Sequence, residues 1–230
     1  MLMLALGDSI TYGYGATTPE HSFAKLLQKQ FAKNVRATLH VQAKPGWTSR
    51  QLNRSLRELP ACIFDEAEIV TLMIGGNDLL KAAPFLLTGS ADRIAQVCER
   101  SREEIEEIVE CANRSYNTFA LATLYNPFPN FGLAEQITNQ YNDMLRAVAA
   151  RNGLVLVESQ KSFRGREHDY VENYRNGLFR DIRLFRNPIH PTDAGHHALY
   201  QAFYRALQRA RARERAKAQR RRLNRQTRRA

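Results

Sequence analysis

The stretch Leu2-Met3-Leu4-Ala5-Leu6-Gly7-Asp8-Ser9-Ile10-Thr11-Tyr12-Gly13 opens with five consecutive apolar residues and breaks, with no linker, into a serine flanked by glycines. A short run that is apolar at every position, instead of every second one, is how a strand covered on both faces of a parallel sheet reads. Four more runs rich in β-branched and apolar residues follow at Val35–Val41, Ile69–Ile74, Thr118–Leu124 and Leu154–Val157. Between them, apolar residues recur at helical spacing. The sets are Phe23, Leu26, Leu27 and Phe31; Ile94, Val97, Ile105, Ile108 and Val109; Ile137, Tyr141, Leu145 and Val148; and Leu199, Ala202, Phe203, Ala206 and Leu207. Strand and helix alternate throughout, which predicts an α/β fold with about five parallel strands and right-handed crossovers. In such a sheet the ligand crevice lies beyond the carboxyl ends of the strands. The charged, aromatic, aperiodic stretch Ser159–Asn187 reads as a loop region beside that crevice or over it.

With 230 residues the chain suffices for one core of ordinary domain size. Its 43% apolar and 25% charged content is that of a soluble globular protein and excludes a disordered or fibrous one. No apolar run approaches the roughly 20 residues of a transmembrane helix, and the first ten residues lack the basic region and cleavage site of a signal peptide. Cys62, Cys98 and Cys111 are too few and too scattered for a disulfide framework or a zinc site, so buried thiols and a cytoplasmic setting are expected. The net charge of +11 has one source. Residues 1–200 hold as many basic as acidic side chains, whereas residues 201–230 hold 12 Lys and Arg against Glu214 alone. The expected division is therefore a nearly neutral folded domain over residues 1–207 and a basic, flexible or helical tail over residues 208–230. As a helix that tail carries charge all round and little apolar surface, which argues against membrane insertion and leaves two readings, contact with the phosphates of nucleic acid or an anionic membrane surface, or a solvated tail that aids solubility.

Chemistry-bearing residues fall where strands give way to helices. Ser9 follows the first strand, with glycines on either side of its turn and a helix start behind it. Pro45-Gly46-Trp47-Thr48-Ser49 follows the second, with Gly46 just ahead of a helix start at Thr48 or Ser49. Gly75-Gly76-Asn77-Asp78 follows the third. His190 stands between Pro188 and Pro191, with Thr192 placed as the N-cap of the last helix. Acyl transfer requires a nucleophilic hydroxyl, a base within hydrogen-bond reach and donors for the tetrahedral oxyanion. Ser9 and His190 supply the first two, and Ser9 N–H, Gly46 N–H and the Asn77 side-chain amide supply the third. Each segment alone reads as a turn. Four of them in order at the ends of alternating strands are specific.

Taken together these segments resemble the SGNH hydrolases, also called GDSL esterases and lipases. Gly7-Asp8-Ser9, Gly46, Gly75-Gly76-Asn77-Asp78 and His190-Pro191 match the family's four blocks, and the resemblance runs from residue 2 to about residue 207. The Leu124-Tyr125-Asn126-Pro127-Phe128 segment is similar to a turn after the fourth strand of bacterial members. The resemblance implies a flavodoxin-like three-layer α/β/α sandwich and hydrolysis of a small or lipid-like acyl ester without cofactor or metal. One position departs from the pattern. Three residues before the histidine the family has an aspartate, and this chain has Asn187. An asparagine carbonyl can hold the imidazole tautomer but offers no charge to the imidazolium, so the alternatives are a Ser–His dyad or another carboxylate, Asp181 or Asp193. A catalytically weak scaffold that works through its basic tail is the competing reading.

Other residues carry bland expectations. Asp8 reads as a hydrogen-bond acceptor holding the turn, and Asp78 as a cap. His196 and His197 read as one packed and one surface histidine, not as metal ligands with His190. Trp47, Tyr12 and Tyr14 are candidates for the wall of an acyl pocket.

Overall fold

The structure, a computed structural model, describes residues 1–86, 91–182 and 187–227. The opening apolar run forms β1 (Leu2–Gly7), and β2 (Thr38–Ala43), β3 (Ala67–Met73), β4 (Thr118–Ala122) and β5 (Val155–Val157) join it in one all-parallel sheet of order β2-β1-β3-β4-β5. Alternate residues of β1 enter two cores. Leu4 and Leu6 face one with Val70, Leu72, Ile105, Ile108 and Leu145, while Met3 and Ala5 face the other with Phe23, Leu27, Phe163, Leu199 and Phe203. Helices α3 (Ser49–Leu56), α4 (Ala61–Glu66), α6 (Ala91–Ala112) and α7 (Gly132–Arg151) cover the first face. Helices α2 (Phe23–Ala32), α8 (Ser159–Phe163) and α10 (Asp193–Thr227) cover the second. The three-layer sandwich follows.

Several boundaries differ from the sequence reading. The second strand begins at Thr38, not Val35, because pairing starts where β1 starts: Thr38 N–H donates to Met1 O at 3.0 Å, and Val35 is left 48% exposed. The fourth stops at Ala122 because Asn142 of α7 captures both backbone groups of Leu124, accepting from its N–H at 2.7 Å and donating to its carbonyl at 2.8 Å. The stretch read as loop contains α8, α9 (Glu167–Tyr170) and a 3₁₀ turn, Phe179–Asp181. Residues 183–186 of that stretch lie outside the described residues. Cys62 is exposed and Cys98 and Cys111 are half-buried, so the thiols are less sequestered than expected.

The sheet order reverses between β1 and β3, and that switch point is where a crevice opens in a doubly wound sheet. The short α1 (Ser9–Tyr12) leaves β1 there, and α5 (Gly76–Leu86) leaves β3 beside it. The last helix starts at the same end. Leu199, Phe203 and Leu207 bury its first half, and Phe203 stacks on Phe23 with centroids 5.1 Å apart. Arg211 then lies over the Phe31 ring at 5.3 Å, near Met1 at the amino end of β1. Among the described residues no helix is long and apolar enough to cross a membrane.

Candidate active site

The turn out of β1 is built by Asp8. Its side chain caps α1, accepting the Ile10 N–H at 3.0 Å, which leaves Ser9 as the first residue of that helix, with a backbone N–H outside the helical ladder. Asp8 is buried, and burial pushes its carboxyl up to about 7, with the nearby Asp78 adding to the rise and the Ile10 N–H opposing it. The structural role expected of Asp8 is the one observed.

Ser9 Oγ meets His190 Nε2 at 3.1 Å. The histidine is delivered by its own neighbours. Its carbonyl accepts the Glu172 N–H at 2.8 Å, Val171 bridges Pro191, and the Tyr125 hydroxyl donates to Ile189 O at 2.6 Å. The Asn187 carbonyl accepts the Ile189 N–H at 2.9 Å and closes the approach. Thr192 caps α10 as expected, accepting the Gly195 N–H at 3.2 Å. Burial drives His190 down to about 4, with the charge of His196 adding to the fall. At neutral pH the imidazole is therefore the free base.

The second and third blocks converge on the same point. Lys44-Pro45-Gly46-Trp47 is a turn closed by the Trp47 N–H on Lys44 O at 3.2 Å, with Gly46 at φ +84°. Proline in the second place and a positive φ in the third are what a type II turn demands. The turn's hydrogen bond does not use the Gly46 N–H. Thr48 caps α3 through a box with Gln51, as the sequence predicts. Asn77 Nδ2 donates to Trp47 O at 2.9 Å. An amide nitrogen carries two protons, so one fixes the group to the turn and the second is left for the crevice that Asn77 lines. Asp78 ties the same parts together: Ser49 N–H and Oγ–H donate to its oxygens at 2.9 and 2.6 Å, and Ser101 Oγ donates at 3.2 Å. Burial raises this carboxyl and the Ser49 bonds oppose the rise.

The cleft beside Ser9 has a volume of about 130 Å³ and an apolar wall, with Leu79, Leu80 and Ala83 from α5 and Phe128, Phe131 and Ile137 opposite. Trp47, Tyr12 and Tyr14 do not line it, contrary to expectation. Trp47 packs into the core, while Tyr12 and Tyr14 are 61% and 51% exposed. Tyr14 instead sets its ring against His190, centroids 4.3 Å apart.

Neither alternative carboxylate serves His190. Asp181 accepts the Asn176 and Leu178 N–H groups at 2.9 and 3.1 Å; desolvation opposes its ionisation, but these amides prevail and hold it below the usual range. Asp193 accepts from Thr17 N–H and Oγ–H at 2.9 and 2.6 Å and meets His21 Nδ1 at 2.9 Å. Every Asp and Glu of the chain lies among the described residues, and none of them hydrogen-bonds to the His190 ring. His196 is fully buried, its Nδ1 accepting the Phe23 N–H at 3.3 Å and its Nε2 meeting Tyr14 O at 3.0 Å, while His197 is exposed. Among the described residues no group of His, Cys, Asp and Glu is arranged to hold a metal ion.

Two roles differ from the sequence reading and one is new. Asp78, read as a cap after the third strand, ties that turn to Ser49 at the start of α3, and Tyr14, read as pocket wall, packs on His190. Tyr125 had no assigned role, and the Tyr-Asn-Pro segment was the available signal.

The family model described as GDSL-like Lipase/Acylhydrolase family matches residues 5–198. A spore germination lipase, LipC, of Bacillus licheniformis is 26% identical over 207 residues, covering 85% of this chain and 91% of that one. Two solved structures share the fold. The lipase Lip_vut3 from a goat rumen metagenome has a TM-score of 0.74 at 23% identity, over 90% of this chain and 97% of that one. The acetylxylan esterase Axe2 of Geobacillus stearothermophilus has a TM-score of 0.64 at 18% identity, over 89% and 93%.

Proposed function

The chain belongs to the GDSL-like lipase/acylhydrolase family and is a carboxylic ester hydrolase, and we propose that it works through a Ser9–His190 pair on small or medium acyl esters. The observation that carries this reading is the 3.1 Å contact between Ser9 Oγ and His190 Nε2 at the mouth of an apolar cleft. Ser9 Oγ attacks the acyl carbonyl while His190 Nε2 takes its proton. Charge developing on the carbonyl oxygen is met by Ser9 N–H, Gly46 N–H and the second proton of Asn77 Nδ2. His190 returns the proton to the departing alcohol, and a water molecule then cleaves the acyl-enzyme by the same steps in reverse. Asn187 is retained as an orienting group for His190. A cytoplasmic setting, supported by the three free cysteines, and contact of residues 208–230 with polyanions, supported by their charge, belong to the same proposal.

The test is a series of chromogenic esters of rising acyl length, run on the wild type and on Ser9→Ala. Each methylene entering the cleft is worth about 0.8 kcal/mol, so kcat/KM is expected to rise about fourfold per carbon until the cleft is filled. Ser9→Ala is expected to lose on the order of 10⁵–10⁶ in kcat. Equal inactivity of both proteins on every ester would favour the scaffold reading, and full activity of Ser9→Ala would remove Ser9 from the chemistry.

A further inference from the structure

His190 must carry a positive charge in the transition state, and no carboxylate hydrogen-bonds to its ring to balance it. Among the described residues the ring has one close aromatic neighbour. Tyr14 lies 4.3 Å away between centroids, tilted by 42°. Its place is fixed by the fold. Tyr14 N–H donates to Ser9 O at 2.8 Å, and Tyr14 O is held at 3.0 Å by Nε2 of the buried His196. The next residue, Gly15, has φ +88° and lies so close to Pro191 that a Cβ there would collide with the Pro191 carbonyl oxygen. Three independent contacts thus press residues 14–15 against the segment that bears the base.

We infer that Tyr14 is a positioning residue for catalysis, its ring face stabilising the His190 imidazolium by a cation–π contact where relatives use a carboxylate. The inference rests on the Ser9–His190 reading. An aromatic face attracts a cation within about 6 Å of its centroid, and the attraction grows as water is excluded. The other titratable groups around His190 cannot supply this. His196 lowers the affinity of His190 for a proton. Asp8, on the same cleft wall, has its carboxyl at about 7 and is neutral where His190 titrates, and its Oδ1 is taken by Ile10 N–H. The Tyr125 hydroxyl is spent on Ile189 O, and Glu172 reaches His190 through its backbone N–H. Asp181 and Asp193 are held by other partners.

The experiment replaces Tyr14 with phenylalanine and then with its mono-, di- and trifluorinated forms, which keep the ring's shape while draining charge from its face. Tyr14→Phe is expected to stay within about twofold of wild type, and kcat/KM to fall about three- to tenfold across the fluorinated series, carried by kcat. The limb of the pH profile that rises near pH 4 is expected to move to lower pH in step, because the protonated ring becomes less favoured. Tyr14→Leu should lose at least as much as the trifluorinated form. A flat series in both kcat/KM and the pH limb, with Ser9→Ala inactive, overturns the inference and leaves the dyad standing. An active Ser9→Ala strikes the dyad itself.

Discussion

The two ends of α10 live in different electrostatic worlds. At its start, Thr192 caps the helix two residues from His190, in a crevice where the carboxyls are buried and pushed toward neutrality and the base is held uncharged. Past Leu207 the same helix leaves the core, and Arg209, Arg213 and Arg215 stand exposed at the amino end of the sheet. At 1.5 Å per residue, Thr192 and Arg211 are about 28 Å apart, more than three screening lengths at physiological salt. Charge and chemistry are therefore separated along one element. The net charge of a protein says little about its active site until it is placed on the fold.

Two substitutions and one truncation test that separation. The largest effect belongs in the crevice. Asn77→Ala is expected to lower kcat by about 10²–10³ with little change in KM, because its free amide proton meets charge that exists only in the transition state. Steady-state kinetics on one soluble ester decide it, and a loss confined to KM would make Asn77 a substrate-binding group.

The next effect is a gain. Asn187→Asp is expected to raise kcat/KM near neutral pH about tenfold, about 1.4 kcal/mol, by supplying the charge that the imidazolium lacks. The sign of the pH effect follows from the same cause. His190 is the free base above about pH 4, and a carboxylate raises that value, so the limb that rises with pH must shift upward. The pH profile of kcat/KM measures both. Since Asp181 and Asp193 are engaged elsewhere, no gain at any pH would mean that position 187 does not face His190 and that its role is the backbone turn at Ile189.

The smallest effect is the most telling for the comparison. Removing residues 208–230 is expected to leave kcat on soluble esters within about twofold, while binding to nucleic acid or anionic vesicles disappears and is already weak above about 0.2 M salt. Binding that survives both truncation and salt would place the polyanion site on the neutral body.

The fold was legible because most strands are short runs rich in apolar residues and the covering helices α2, α6, α7 and α10 each show their own period, so neither depends on distant partners for recognition. The errors came where a distant side chain decides: Asn142 of α7 ends β4, and pairing with β1 sets the start of β2. The same division holds for the site. Ser9, Gly46 and Asn77 could be read because each stands at a strand end in a turn with its own residue requirements. Asn187 could be read only as a departure, since its geometry depends on a segment without periodicity. Tyr14 could be read only as pocket wall, because its contact with His190 joins two segments far apart in the sequence.

That joining has a consequence for how the protein comes into being. Ser9 and His190 are 181 positions apart, and the turn that presents the base is held by Tyr125, Val171 and Glu172 before α10 seals it. Contacts so distant in sequence form late, after the loops between them have been closed. On the proposed mechanism a folding chain therefore carries Ser9 as an inert alcohol and becomes reactive only once α10 has docked. Recovery of esterase activity on refolding would mark the end of folding, not its beginning.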